Sequence, residues 1–380
     1  MDAPRSLLVL SALGCLSLWG VAWLNGTLDA LFLAQETGQF PDGRALRKIY
    51  TGSPIVDESL VPVIAFFDVV TNAQAQAPRW LFFYVCGTIA AVDTWVLIES
   101  RRRGVRNFFL RHTVIFIFLW NAAGAAFITP IYLYMIAQSR HTQRDPTIPL
   151  NETRGFPPTL VANALFPLIL FWPGWRGWDT YDHHGYLAFY TVTPLLMVVV
   201  LVIFSRQGTT MTSFETPKDA AHPNEDMHWV AGSFYATGML SALLHIFTVG
   251  TALSGGQTSG AAAQDLSLRR LIWPDPWKVT AAPPGSYQAL LEGCHLFTQF
   301  DVLIAGAAIV IFARHMLASS SSPLARERDR GRRDTLWIVL GAILLGPAAA
   351  GSFALSIREG RLREPIEMDS KTKTASSYKR

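Results

Sequence analysis

The sequence predicts an all-α protein, a polytopic bundle of about seven transmembrane helices, with seven to nine spans as the range. Half of its 380 residues are hydrophobic and only 16% are charged, whereas soluble globular proteins average about 25% charged residues. The apolar residues form long blocks, and blocks of about 18 or more are typical of transmembrane helices. These observations exclude a disordered chain, a coiled coil, a disulfide scaffold and a typical soluble enzyme.

Seven blocks are long enough to cross a bilayer. They are Leu7–Trp23, Trp80–Ile98, Thr113–Ile136, Tyr186–Phe204, Trp229–Leu253, Ala289–Phe312 and Leu336–Ile357. Two weaker blocks, Leu60–Val70 and Thr159–Trp172, are shorter than the ~20 residues of a full span, so we interpret them as re-entrant or interfacial helices. Arginine-rich loops follow Ile98 and Phe312, and both should face the cytosol. An even number of spans must then separate these loops, so Thr159–Trp172 is either not a span or is paired with one further span.

The chain is predicted to form one transmembrane domain, residues 1–357, and a polar tail, residues 358–380, that we expect to be disordered. The first span is interpreted as an uncleaved signal anchor, because no A-x-A-like cleavage site follows it. Candidate N-glycosylation sites at Asn25 and Asn151 lie on the non-cytosolic side of this topology. These features favour a multi-pass protein of the endoplasmic reticulum or another secretory-pathway membrane. The net charge of +4 comes from loops and the tail, so it does not indicate nucleic-acid binding.

Polar side chains at membrane depth are costly, so each indicates either a functional site or a buried hydrogen bond. The candidate catalytic residues are Asp68, Asp93, Glu99, Glu292, His295, His245 and Asp301. An aromatic pocket around Asp68, formed by Phe66 and Phe67, would raise the pKa of this carboxyl and keep it protonated; the alternative is a helix cap. Asp93 lies in the middle of a span, where the alternative to function is a hydrogen bond to a neighbouring helix. We interpret Glu99, at a helix end, as a snorkelling or ion-paired residue rather than a catalytic one.

The span Ala289–Phe312 is the most polar. At 100° per residue, Glu292, His295 and Gln299 share one helix face, and Asp301 points in roughly the opposite direction. A glutamate and a histidine three residues apart can act as acid and base, although Glu292 could also be solvated near the membrane surface. His245 is more typical of a hydrogen-bonded packing residue.

Aromatic residues make up 12% of the chain, and many lie close to the buried carboxyl groups. The candidate substrate-binding residues are Phe67, Trp95, Trp120, Asn121, Phe297 and Gln299. Aromatic rings stabilise cations and a dry cavity prevents quenching by water, so such a site suits carbocation chemistry. The alternative is that the rings face lipid or the membrane interface. Asn121 is expected either to orient a carboxyl group or to bridge two helices.

No metal site and no cofactor are predicted. Asp179, Asp182, His183 and His184 lie in the run WDTYDHHG, which we interpret as an aromatic-anchored interfacial loop because nothing else completes a ligand set. Acidic runs that hold Mg²⁺-diphosphate, a P-loop, a dinucleotide fingerprint and GxSxG are absent from the sequence.

Five stretches carry a resemblance to a known family. They are PVIAFFDVV (62–70), TWVLIESRRRGVRN (94–107), LWNAAGAAFITPIYLYM (119–135), ANALFP (162–167) and LLEGCHLFTQFDVLI (290–304). In this order they resemble fungal integral-membrane terpene cyclases of the ascochlorin and ascofuranone type. The resemblance implies metal-independent cyclisation of the prenyl chain of a meroterpenoid, started by protonation of a terminal epoxide. It also places Asp68, Glu99 and Asp301 at the acidic positions of these blocks.

The predicted partners are a hydrophobic isoprenoid or meroterpenoid substrate and the lipid bilayer, with Asp68 or Asp301 as the preferred acid. Two other classes stay open at this point: a transporter or receptor-like protein, and a sterol-type membrane isomerase. A continuous polar channel would favour transport, whereas a closed aromatic cavity with carboxyl groups would favour cyclisation.

Overall fold

The computed structural model describes residues 4–71, 75–103, 105, 107–138, 145–177, 179–206, 224–255, 266–320 and 328–377. Within these ranges the chain is helical, apart from loops and one isolated β-bridge between Gln39 and Ala45. The all-α prediction is therefore confirmed.

The helices of the first half follow one another closely. They are α1 (Ser6–Leu24), which contains a π-helical turn, α2 (Thr27–Thr37), α3 (Pro54–Thr71), α4 (Gln76–Ser100), α5 (Phe108–Arg111), α6 (Thr113–Ala123), α7 (Ala125–Gln138) and α8 (Leu150–Thr153).

The second half contains the longer helices. They are α9 (Phe156–Leu165), α10 (Leu168–Arg176), α11 (Thr180–Thr191), α12 (Thr193–Arg206), α13 (Met227–Gly255), α14 (Leu268–Ile272), α15 (Pro276–Ala281), α16 (Tyr287–Ser319), α17 (Arg328–Leu344) and α18 (Pro347–Ser377).

Helix α16 lies at the centre of the bundle and packs against α1, α4, α7 and α18. One apolar core surrounds Trp95, Phe116 and Phe312. A second core surrounds Phe67 and Phe171, where α3, α10 and α11 meet. Helix α4 contributes to both cores, so its polar residues are held between them.

Five of the described helical segments are long and apolar enough to cross a membrane. They are Ser6–Leu24, Gln76–Ser100, Leu150–Pro173, Met227–Ser254 and Tyr287–Ser319. A sixth is the pair Tyr181–Thr191 and Thr193–Ser205, which is bent by 50°. A polytopic helical protein is thus confirmed, and the number of spans agrees roughly with the prediction.

Two of the predicted spans are interrupted by glycine. Gly124 has a φ of +90° and divides Thr113–Ile136 into α6 and α7. Gly346 has a φ of +91° and divides Leu336–Ile357 into α17 and α18. A positive φ is compatible with glycine but ends a right-handed helix, so hydropathy alone joins segments that the backbone separates.

Of the two alternatives for Thr159–Trp172, length and composition favour a span, because this block belongs to the apolar segment Leu150–Pro173. The even-number argument itself is still satisfied. Between the two arginine-rich loops lie four candidate spans, counting the bent pair as one and leaving out the broken segment Thr113–Ile136. Leu60–Val70 lies in α3, which is not among the candidate spans.

The residues predicted to form a disordered tail continue helix α18 as far as Ser377; residues 378–380 lie outside the described ranges. Arg358, Glu359 and Arg363 are buried. Arg358 Nη1 lies 2.7 Å from Glu99 Oε1, and Arg363 Nη2 lies 2.8 Å from Asp226 Oδ2. Over residues 358–363, ion pairs with distant residues hold the polar sequence against the bundle.

Candidate functional site

A small enclosed cavity lies between α4, α6 and the turn that joins α11 to α12. Its volume is about 20 Å³, which is room for little more than one water molecule. The polar and aromatic groups on its wall are Cys86, Asp93, Trp120, Asn121, Asn163 and Tyr190. Cys86, Ala90 and Asp93 are spaced by four and three residues along α4, which places them on one helix face.

The wall of the cavity carries the carboxyl group of Asp93. Asp93 is 3% exposed, and its Oδ1 has no hydrogen-bond partner among the described residues. The indole of Trp120 lies beside the carboxyl, although its Nε1 completes no hydrogen bond. A buried polar atom without a partner costs about 1–3 kcal/mol, so the cavity presents acidic and polar atoms that an occupant can satisfy.

Asn121 faces the same cavity. Its Nδ2 donates to Ile117 O of its own helix at 3.0 Å, and its Oδ1 has no partner among the described residues. Asn121 therefore makes no helix-to-helix bridge among the described residues, and it shares the cavity wall with Asp93.

Aromatic rings extend from the cavity into the second core. The ring of Tyr190 lies 5.9 Å from Phe67, and Phe66 lies 6.1 Å from Phe67. Phe66 in turn lies 5.2 Å from Phe297, which contacts Trp19 at 6.1 Å. Two predicted substrate-binding residues, Phe67 and Phe297, therefore belong to one continuous aromatic group that begins at the cavity wall.

The family of the chain follows from its similarity to known proteins. The model of the CtvD domain matches residues 3–362. The chain belongs to the CtvD-domain family.

Curated relatives of this CtvD-domain protein cover almost its whole length. It is 35% identical to "Terpene cyclase DEP1" of Fusarium langsethiae, over 94% of this chain and 98% of the relative. It is 35% identical to "Terpene cyclase DEP1" of Alternaria brassicicola, over 93% of this chain and 97% of the relative. It is 27% identical to "Terpene cyclase alnG" of Emericella nidulans, over 92% of both chains. The resemblance to fungal terpene cyclases is thus confirmed. No solved structure matches the chain significantly.

The environment of Asp68 in this CtvD-domain protein differs from the predicted aromatic pocket. Arg44 Nη1 lies 2.8 Å from Asp68 Oδ2, and the rings of His183 and His184 lie 3.4 and 3.5 Å from Oδ1. Burial favours a higher pKa for Asp68, but the two histidines and Arg44 outweigh it and hold the pKa well below its usual range. The expectation that Asp68 is kept protonated is therefore wrong.

Asp301 lies apart from the cavity wall, at the break after Gly124. Its Oδ1 accepts a hydrogen bond from the backbone N–H of Ala126 at 2.7 Å. The carboxyl thus caps the start of α7, where backbone N–H groups lack helical partners. As predicted, it lies on another side of α16 from Glu292, but its structural task distinguishes it from Asp93.

Glu99 is part of a buried ion-pair network. Arg102 Nε and Nη2 each lie 2.9 Å from its carboxylate oxygens, and Arg358 lies 2.7 Å away. The interpretation of Glu99 as an ion-paired residue is confirmed, and the network lies at the end of α4, away from the cavity wall.

Glu292, His295 and Gln299 share one face of α16, as the periodicity predicted, and this face holds the segment 268–273. Glu292 forms an ion pair with Arg270 at 2.6 Å. His295 Nε2 lies 2.9 Å from Arg270 O, and Gln299 Nε2 donates to the carbonyls of Arg270 and Trp273 at 2.8 and 2.9 Å. These contacts give the three residues an anchoring role rather than a place on the cavity wall.

His245 and Trp95 also lie outside the cavity. His245 Nδ1 contacts Tyr84 Oη at 2.9 Å, and its Nε2 contacts Ile343 O at 3.2 Å, just before the break between α17 and α18. This is the packing role that was preferred for His245. Trp95 donates from Nε1 to Ser352 Oγ at 2.9 Å and stacks on Phe312, so it does not line this cavity.

Four residues that the structure places near the candidate acids were not predicted as site residues: His183, His184, Tyr190 and Asn163. His183 and His184 belong to helix α11 rather than to an interfacial loop, and Trp178 of that run lies outside the described residues. Tyr190 and Asn163 line the cavity. Asn163 occurs in the stretch ANALFP that carried part of the resemblance, which was the available signal; nothing local distinguishes Tyr190 from the other interface tyrosines.

Proposed function

We propose that this protein is a membrane-bound terpene cyclase in which Asp93 is the acid that starts cyclisation of an isoprenoid chain. The observation that carries the proposal is the Asp93 carboxyl, buried in an enclosed cavity with an unpartnered Oδ1 and with Trp120 beside it. Charged groups are costly to bury without a counter-charge, and no described cationic side chain lines this wall. The carboxyl therefore suits the role of a neutral acid.

The reaction begins with transfer of the Asp93 proton to an epoxide oxygen at the end of the chain. The epoxide C–O bond breaks, which leaves a hydroxyl group and a tertiary carbocation. An alkene of the same chain then attacks the cation, a C–C bond forms, and the positive charge moves along the chain. Loss of a proton from the last cation makes the product an isomer of the substrate, and the Asp93 carboxylate is placed to take that proton.

The cavity wall supplies stabilisation for the cation. Trp120, Tyr190 and Phe166 present aromatic rings to the space beside Asp93. A cation over an aromatic ring gains about 2 kcal/mol or more when it is desolvated. Enclosure also limits the access of water, which would otherwise end the reaction as an alcohol.

The relatives support an enzyme over a transporter, since those that match nearly the whole chain are named terpene cyclases. An enclosed cavity also fits cyclisation better than a continuous polar channel does. Within the same proposal, the substrate is the prenyl part of a meroterpenoid, the chemistry needs no metal, and the protein resides in an endoplasmic reticulum membrane.

The test is expression in a host fed a phenol that carries a farnesyl chain with a terminal epoxide, followed by chromatography for an isomeric product. Asp93→Asn should abolish the product while the protein level is unchanged. Asp301→Asn is the matched control, because an asparagine Oδ1 still accepts the Ala126 N–H. Full activity of Asp93→Asn, or selective loss in Asp301→Asn, would overturn the assignment of the acid.

A further inference from the structure

A second opening lies on the outer side of the Asp93 cavity, between α4, α9 and α13. The volume of this groove is about 170 Å³. Its walls are apolar, with Phe83, Leu160, Leu240 and Leu244 among the residues that line them. It is separate from the depression near Arg47 and Asp182 at one end of the bundle.

The groove and the cavity share a wall. Ala90 and Asn163 line both spaces. Asn163 is buried, and its Nδ2 donates to Ala90 O at 2.7 Å and lies 3.4 Å from Thr94 Oγ1. The amide of Asn163, on α9 and bonded to α4, is therefore the polar side chain that lines both spaces.

The mouth of the groove opens on the apolar outer surface of the bundle. Leu240, at the mouth, is 45% exposed, and the neighbouring outward residues Leu243 and Val161 are 60% and 55% exposed. These residues belong to Met227–Ser254 and Leu150–Pro173, which are long and apolar enough to cross a membrane. In a bilayer, this surface would meet lipid chains rather than water.

Two hydroxyl groups on the wall of the groove already have partners on their own helices. The hydroxyl of Thr94 donates to Ala90 O at 3.0 Å, and that of Thr237 donates to Ser233 O at 2.8 Å. Because these hydroxyls are already bonded to their own helices, an apolar chain can lie across them without leaving a buried donor unpaired.

We propose that this groove is a lateral entrance that binds the isoprenoid chain of the substrate, and that Asn163 is the gate through which the reacting end reaches Asp93. The inference rests on the proposed function. Ligand sites in proteins contain about 300–1,000 Å³, whereas the cavity beside Asp93 has a volume of about 20 Å³, so at most the reacting end can enter it, and only when its wall opens. The groove supplies the space for the rest of the chain, and rotation of the Asn163 amide joins the two.

Binding is tested without turnover. The protein in phospholipid nanodiscs is exposed to a farnesyl phenol that carries a diazirine near the terminal end, irradiated, and mapped by peptide mass spectrometry. Labels are expected on the peptides of Ala164, Leu240 and Leu244 and should decrease when unlabelled farnesyl phenol competes. Labels elsewhere would overturn the proposal. Equal labelling by a diazirine acyl phospholipid, not reduced by unlabelled farnesyl phenol, would also overturn it and would identify the groove as a lipid-binding site.

Activity is tested with bulky substitutions at the mouth. Leu240→Trp and Ala164→Trp lie on the groove, whereas Leu243→Trp and Val161→Trp lie on the same helices outside it. The groove variants should raise KM by about tenfold or more with little change in kcat, which is the signature of lost binding before the reaction. The control variants should leave both constants unchanged. Equal effects of groove and control variants would exclude a role for the groove.

The two proposals fail separately. If the wild-type protein converts no isoprenoid epoxide but labelling is confined to the groove and is lost in Leu240→Trp, the entrance stands and the cyclase mechanism falls. If the wild type is active but the groove variants keep both labelling and KM, the entrance falls and the cyclase mechanism stands.

Discussion

Arg363 and Asp226 form a bidentate ion pair that fastens the C-terminal helix α18 to the segment before α13. Arg363 Nη1 lies 2.9 Å from Asp226 Oδ1, and Nη2 lies 2.8 Å from Oδ2. Arg363 also contacts Glu359 at 2.7 Å, and Glu359 pairs with Arg102 at the same distance. Paired guanidinium and carboxylate groups in this fork geometry are strongly directional, so the network fixes the orientation of α18 as well as its position.

The first prediction is that Arg363→Ala lowers the free energy of unfolding by about 3–5 kcal/mol, because it leaves Asp226 buried without its cation. The measurement is thermal unfolding followed by tryptophan fluorescence in nanodiscs. Arg361→Ala is the control, since the Arg361–Asp334 pair is partly exposed and such pairs contribute about 0–1 kcal/mol. Similar losses in both variants would contradict a special role for the network.

The second prediction concerns Asp68, whose pKa lies below its usual range. A lowered pKa in the folded state stabilises the fold above the unfolded pKa of about 4 and loses this contribution as the pH falls through the folded value. Between pH 5 and 8 the carboxylate therefore stays charged. Asp68→Asn should lower the unfolding temperature while the pH dependence of kcat keeps its shape.

An altered acid limb of the kcat profile in Asp68→Asn, with an unchanged unfolding temperature, would instead give Asp68 the proton-donor role. Asp68→Glu serves as the conservative control, because it retains the charge that faces Arg44 and the two histidines.

The third prediction is that Gly124→Ala destabilises the protein by about 1–3 kcal/mol, because a side chain at positive φ is strained. A Cβ at this position would also meet the side chains of Leu18 and Phe297. Gly232→Ala is the control, since Gly232 lies in α13 with open space around its Cβ position, and alanine is favoured over glycine in a helix by about 1 kcal/mol. Unfolding in denaturant should shift in opposite directions for the two variants, and a shift in the same direction would contradict the prediction.

The fourth prediction is that Gln299→Leu loosens the segment 268–273, because the carbonyls of Arg270 and Trp273 lose a donor. Arg270 O keeps its contact with His295 Nε2 at 2.9 Å, so the main cost comes from Trp273 O; an acceptor left without a partner costs about 1–3 kcal/mol when it is buried. Hydrogen–deuterium exchange should increase for the peptide that covers 268–273 and stay unchanged for α18. Gln288→Leu, which removes only a contact with Glu292, should have the smaller effect. Exchange that increases equally across the whole bundle would contradict a local anchoring role.

The sequence predicts features that depend on neighbouring residues better than contacts between residues far apart in the chain. The shared face of Glu292, His295 and Gln299 follows from helical periodicity, and apolar block length gives most of the spans. The partners of this face cannot be predicted from periodicity. Arg270 and Trp273 contact it only because the folded chain brings the segment 268–273 back against α16. The pairing of Asp68 with His183 likewise joins residues 115 positions apart in sequence. The breaks at Gly124 and Gly346 depend on a backbone angle that hydropathy does not register.

The choice of the acid among Asp68, Asp93 and Asp301 also depends on contacts between distant residues, which the sequence does not show. Asp68 and Asp301 both lie beside aromatic residues in the chain, as does Asp93, so local context does not rank the three. Their partners do: Asp68 faces Arg44 and two histidines, Asp301 caps α7, and the Oδ1 of Asp93 faces a cavity. These partners come from other helices, so only the packed structure separates a carboxyl with a structural task from one that is available for chemistry.

The last prediction concerns the aromatic wall of the cavity. Trp120→Leu removes the ring beside Asp93 while it keeps an apolar side chain, so it should lower kcat by about tenfold or more, equivalent to about 1.4 kcal/mol or more of lost cation stabilisation. Trp120→Phe retains a ring and should lose less. Incomplete stabilisation also gives water more time to capture the cation, so the fraction of partly cyclised or hydroxylated products should increase in Trp120→Leu.

Trp95→Phe is the matched control, because Trp95 is buried against Ser352 and Phe312 outside the cavity, and its product distribution should equal that of the wild type. A changed product distribution in Trp95→Phe together with an unchanged one in Trp120→Leu would place the reacting chain on the other side of α4.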